Sequence, residues 1–102
     1  MVERLEQAFS LLLGLNHVVA VSSGTAAIQA ALESVSLGPG DEVVTSPFTF
    51  VATLNAALST GATVRFADIS EDDFSIHPDS VQTVLGPRTT VILPVHLFGQ
   101  PA

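Results

Sequence analysis

The sequence predicts an α/β fold, a parallel sheet with helices packed over its faces. Two patterns carry that prediction. Short β-branched runs alternate along the chain with alanine- and leucine-rich segments, and brief connections bearing glycine, proline or serine separate them. Strands and helices alternating through such short links form parallel strands joined by crossover helices. Composition adds a third observation. Of 102 residues, 47% are hydrophobic and only 13% charged, about half the charged fraction of an ordinary soluble protein. A domain this small has proportionally more surface to cover with polar groups, so a mean hydropathy of +0.52 predicts that part of its packing surface lies outside these residues.

Leu5, Phe9, Leu12 and Leu13 recur on one helical face and Gly14 follows as a cap, which predicts a helix over 3–13. The β-branched run 17–21 predicts a first strand, and 26–32, rich in alanine and leucine with no breaker, a helix. Gly38-Pro39-Gly40-Asp41 is a turn. After it come a strand over 42–45, a helix over 48–59 closed by Gly61, and a strand over 63–66. Residues 68–76 form an acidic connection. Pro78 suits the first turn of a helix running to about Leu85, and 90–95 is a β-branched strand broken by Pro94. There is no internal repeat or low-complexity tract. The chain stops at Ala102, soon after the fourth strand, where such a fold turns into another helix, so a cut end is expected.

Ten carboxylates against Arg4, Arg65 and Arg88 give a net charge of −7, which excludes a nucleic-acid surface because phosphates need clustered cations. No lysine is present, so no lysine chemistry resides here. The absence of cysteine excludes disulfides and thiolate nucleophiles and fits a reducing, cytoplasmic setting. Segments 7–32 and 43–64 carry no charge, but polar residues such as Asn16, Ser22, Ser23, Thr49 and Asn55 interrupt them, and no membrane span is expected. The start, with Glu3 and Glu6 around one arginine, lacks the basic opening of a signal peptide. His17, His77 and His96 stand too far apart for a helical ligand pair, so no metal site is expected.

Ser22-Ser23-Gly24-Thr25-Ala26-Ala27 joins a strand's carboxyl end to a helix start, where free backbone N–H groups and the helix dipole favour an anion such as phosphate. Ser23 or Thr25 equally suits a plain helix cap. Neither a Walker loop nor a dinucleotide fingerprint is present, and Ser23-Gly24 does not match a nucleophile elbow. Phe48 and Phe50 open the next helix at the carboxyl edge of the sheet, where ligands bind in such folds, and either ring could stack on a planar cofactor or belong to the core.

Three stretches taken in order narrow these alternatives: Ala20-Val21-Ser22-Ser23-Gly24-Thr25-Ala26-Ala27; Gly38-Pro39-Gly40-Asp41-Glu42-Val43-Val44-Thr45 running into Pro47-Phe48-Thr49-Phe50-Val51-Ala52-Thr53; and Pro94-Val95-His96-Leu97-Phe98-Gly99-Gln100-Pro101-Ala102. Together they resemble the DegT/DnrJ/StrS family of sugar aminotransferases. The resemblance implies a pyridoxal-phosphate enzyme of the aspartate-aminotransferase fold type, with residues 1–102 the amino-terminal part of the large domain and its mostly parallel, helix-flanked sheet. It implies a homodimer that moves an amino group from glutamate or glutamine onto a nucleotide-linked keto sugar. Gly24, Thr25 and Ala26 would hold the cofactor phosphate, Phe50 would stack on the pyridine ring, and His96 would lie near the active-site end of its strand. The lysine that anchors the cofactor and the aspartate that meets the pyridine nitrogen belong in relatives to later segments, so no catalytic residue is expected among these 102. Such a piece would be inert alone. The alternative is a non-catalytic α/β module binding a phosphorylated ligand, or an inactive remnant.

Overall fold

Strand β1 (Glu42–Thr45) is buried at all four positions. In the computed structural model, which describes residues 1–102, it is the centre of a three-stranded parallel sheet of order β2-β1-β3, flanked by β2 (Thr63–Phe66) and β3 (Thr89–Leu93). Val43 stands opposite Val64 and Val91, and Thr45 opposite Phe66 and Leu93, so these side chains share one face. Helices α2 (Gly24–Ser34) and α3 (Val51–Ser59) pack against each other, and Leu32, Leu37, Val43, Ala57 and Ala62 form the buried cluster beneath them. Alanine recurs in that cluster because helices must approach closely over short strands.

The two β-α-β crossovers behave as the sequence predicts. Strands 42–45 and 63–66 lie where expected, the strand expected over 90–95 is observed as Thr89–Leu93, one residue earlier at its start and two at its end, and the helix expected over 48–59 begins only at Val51. The late start follows from the turn over 46–50, where Phe48 N–H is taken by Ser46 Oγ and Phe50 is extended. The turn at Gly38-Pro39-Gly40-Asp41 closes through Asp41 N–H to the Gly38 carbonyl at 3.1 Å, with Gly40 at φ +96°. Gly61, between α3 and β2, has φ +82° and sits where an added Cβ would meet Pro39 Cγ at 3.0 Å. Any other residue would be strained there. Helix α4 (Pro78–Val84) starts on proline, as expected, and His77 Nδ1 caps it by accepting from Asp79 N–H at 3.2 Å.

The expected strand at 17–21 is not formed. The segment is extended but joins no ladder, and β1 already has a partner on each edge. It lies instead along helix α1 (Val2–Leu13), where Ala20 N–H donates to Glu6 Oε1 at 2.8 Å. A β-branched run makes a strand only where it is brought alongside a partner, and this one is held on α1, away from the open edges of β2 and β3. Helix α1 buries none of its residues, and Leu5, Leu12, Leu13 and Val19 are exposed. Only 12 of 102 residues are buried, and the radius of gyration is 15.0 Å, against about 13 Å for a compact chain of this length. No helix is long and apolar enough to cross a membrane.

Candidate functional site

The carboxyl ends of β1 and β3 are tied by Thr45, whose buried Oγ1 donates to the Leu93 carbonyl at 2.7 Å. The chain then crosses the sheet edge over residues 46–50. Ser46 is buried and its Oγ accepts from Phe48 N–H at 3.1 Å, bending the backbone so that the following residues stand above the edge. Phe50 occupies the position before α3 in extended conformation, and its carbonyl accepts from Thr53 N–H at 3.1 Å. A phenylalanine cannot cap with its side chain, so the ring is left for another contact and is 76% exposed.

Pro47, Phe48, Thr49, Phe50, Leu97 and Phe98 line a cleft of about 360 Å³. That volume falls within the range of small-molecule sites, roughly 300–1,000 Å³. Leu97 and Phe98 come from the short turn Leu97–Gly99 that follows β3, so the cleft is built from the segments leaving two adjacent strands. Sequence reasoning singled out Phe48 and Phe50 but not Leu97 or Phe98, because their meeting depends on β1 and β3 being neighbours. His96 precedes that turn, and its Nδ1 accepts from Ala102 N–H at 2.8 Å.

Gly24, Thr25 and Ala26 begin α2 and do not line the cleft. Ser23 is the cap: its backbone is extended and its Oγ accepts from Ala26 N–H at 3.1 Å, while its carbonyl takes the Ala27 N–H at 3.0 Å. Thr25 is therefore not needed as a cap. The amides of Gly24 and Thr25 and the Thr25 hydroxyl have no partner within the chain, all three groups are exposed, and the space beside Gly24 Cα is open. An anion of phosphate size fits that cradle, since an 11-residue helix points its dipole and two free N–H groups at it.

Cations are placed elsewhere. Glu42, at the amino end of β1, is buried and receives Arg88 Nη2 at 3.0 Å on Oε1 and Arg65 Nη1 at 3.6 Å on Oε2. Two of the three arginines are thus held at the sheet edge opposite the cleft.

A parallel sheet with an aromatic cleft over its carboxyl edge, and helices packed over the sheet, define an α/β protein of the class that binds small ligands at that edge. Comparison with known proteins narrows that class: the chain belongs to the DegT/DnrJ/EryC1/StrS aminotransferase family, whose sequence model matches residues 1–102. It is 46% identical over 99 residues to the spore coat polysaccharide biosynthesis protein SpsC of Bacillus subtilis, covering 97% of this chain and 25% of that protein. Among solved structures it is similar to S. venezuelae DesV in complex with a ketimine intermediate, with 40% identity and a TM-score of 0.94 over 99% of this chain and 27% of that one. It is likewise similar to NtdA of Bacillus subtilis with bound cofactor PMP, with 40% identity and a TM-score of 0.95 over 99% of this chain and 23% of that one. The chain spans about a quarter of the length of these relatives. Its parallel, helix-flanked sheet is part of the fold that the pyridoxal-phosphate aminotransferases share.

Proposed function

We propose that residues 1–102 are the amino-terminal part of the large domain of a pyridoxal-phosphate-dependent sugar aminotransferase. The intact protein transfers an amino group from glutamate or glutamine to a nucleotide-linked keto sugar. The observation that carries this reading is the family match across the whole chain; the free amides at the start of α2 and the exposed Phe50 ring agree with it. The protein acts as a homodimer in the cytoplasm, a setting that suits a chain with no cysteine and with uncovered apolar faces.

Pyridoxal phosphate is the cofactor of the intact protein, and when bound it supplies the carbonyl that takes up the amino group and the ring that spreads the developing charge. Gly24 and Thr25 hold its phosphate through their N–H groups and the Thr25 hydroxyl, beside Ala26, whose own amide is shared with Ser23. Phe50 covers one face of the ring and keeps water from it. Residues 1–102 bind and orient, while a lysine for proton transfer has to come from outside them, since none is present here.

Borohydride trapping of the cofactor on the intact protein, followed by peptide mapping, tests the reading. Label is expected on one lysine outside residues 1–102, together with amination of a nucleotide-linked keto sugar by glutamate or glutamine. A cofactor-free protein, or one inactive with every such sugar while active on an unrelated substrate, overturns it.

A further inference from the structure

We propose that Phe74, on the loop after β2, is a positioning residue that braces the aromatic wall of the cleft through its contact with Phe48. The loop is folded by its own polar groups: Ile69 and Ile76 form an isolated antiparallel bridge, Ser70 N–H donates to the Ser75 carbonyl at 2.8 Å, and Phe74 N–H donates to the Ser70 carbonyl at 3.0 Å. Asp73 Oδ1 accepts from Ser75 N–H at 2.9 Å, and Ser70 Oγ from Asp72 N–H at 3.2 Å. Those bonds hold Phe74 at φ +60°, a left-handed conformation that a bulky side chain rarely adopts and that glycine or asparagine would take more easily. What the phenylalanine adds is its ring. It lies 5.7 Å from the Phe48 ring with the planes tilted by 39°, the one aromatic pair in the molecule. Both rings are about half exposed, so the contact is not part of the buried cluster. Phe48 in turn shares the cleft wall with Phe50, two residues along a segment already pinned by Ser46. The strained backbone is thus retained where it places a ring against the segment that presents Phe50.

The consequence for cofactor binding rests on the proposed stacking of Phe50; the bracing itself does not. The test uses the intact protein and three variants. Phe74→Asn removes the ring and relieves the backbone, Phe74→Tyr keeps the ring, and Phe50→Leu probes the stacking. With labelled phenylalanine in the cofactor-free protein, Phe74→Asn is expected to shift the ring signals of Phe48 and Phe50 with no loss of melting temperature. It should also weaken pyridoxal phosphate roughly three- to tenfold, the scale of one aromatic pair, and Phe74→Tyr should restore both. Phe48 shifts merely by losing the neighbouring ring, so the deciding signal is Phe50: unchanged Phe50 signals in a folded Phe74→Asn variant overturn the bracing whatever the cofactor does. A fall in melting temperature with unchanged Phe50 signals also overturns it, because Phe74 then serves only the loop. Phe50 signals that shift in Phe74→Asn, together with wild-type cofactor affinity in Phe50→Leu, uphold the bracing and refute the stacking.

Discussion

Thr25 carries an amide and a hydroxyl that nothing in the chain uses, whereas Ser23 two residues earlier is engaged as the cap. The pair therefore separates binding from folding. Thr25→Val in the intact protein should weaken cofactor affinity by about 1.5–3 kcal/mol, the scale of a hydrogen bond to a charged group, with a smaller loss for Thr25→Ser. Ser23→Ala should instead lower stability by about 1 kcal/mol, as cap removal does. Titration with cofactor and denaturant melts distinguish the two, and equal affinity in wild type and Thr25→Val removes Thr25 from the site. Phe50→Leu, at a ring 76% exposed, should leave stability within about 0.5 kcal/mol while weakening the cofactor and altering its absorption. A core role would show the reverse. At this scale the sequence was legible wherever a residue's task is local: a capping Ser23 before α2, whose helix nonetheless begins at Gly24 rather than at the expected 26, the turn at Pro39, the proline opening α4. Phe74 was not legible, because nothing in the preferences of phenylalanine points to a left-handed backbone.

The element that joins the sheet at its amino edge is β1, through the Glu42 carboxylate and two arginines of unequal geometry. Arg88 is within hydrogen-bonding distance at 3.0 Å, while Arg65 at 3.6 Å contributes only attraction. Both arginines are partly exposed and can rehydrate, but Glu42 cannot. Arg88→Met should thus destabilise the protein by about 2 kcal/mol, because it leaves a buried carboxylate without its hydrogen-bonded partner and with only Arg65 at 3.6 Å. Glu42→Gln should cost about 1 kcal/mol, as the freed arginines return to water. Denaturant unfolding of the intact protein checks the order, and a larger loss for Glu42→Gln contradicts it. Elements were legible where the same residues supply both the propensity and the partner, as in β1, β2 and α2. Segment 17–21 has the propensity of a strand but pairs with neither open edge of the sheet, and pattern alone does not report which neighbour a strand will find.

At the level of the whole molecule, the buried cluster is small for the apolar surface around it. Exposed Leu5, Leu12, Leu13 and Val19, together with a sheet open at both edges, leave the 102 residues poorly suited to stand alone. Purified by itself, the chain should aggregate or unfold over a broad range. A sharp, concentration-independent melt of a monomer, followed by light scattering and circular dichroism, would count against that expectation. The cluster that does exist has one further property: Leu32, Leu37, Val43, Ala57 and Ala62 all fall between positions 32 and 62, and β2 ends at Phe66. As the polypeptide leaves the ribosome, the β-α-β unit that carries these five residues is synthesised before β3, and the cluster stays uncovered on the side that Val91 and Leu93 later pack against. The Thr45–Leu93 bond, which spans 48 positions, can form only afterwards. The strand that brings Leu97 and Phe98 to the cleft is the last of the three to be synthesised, so the cleft is the last part of this sheet that can assemble.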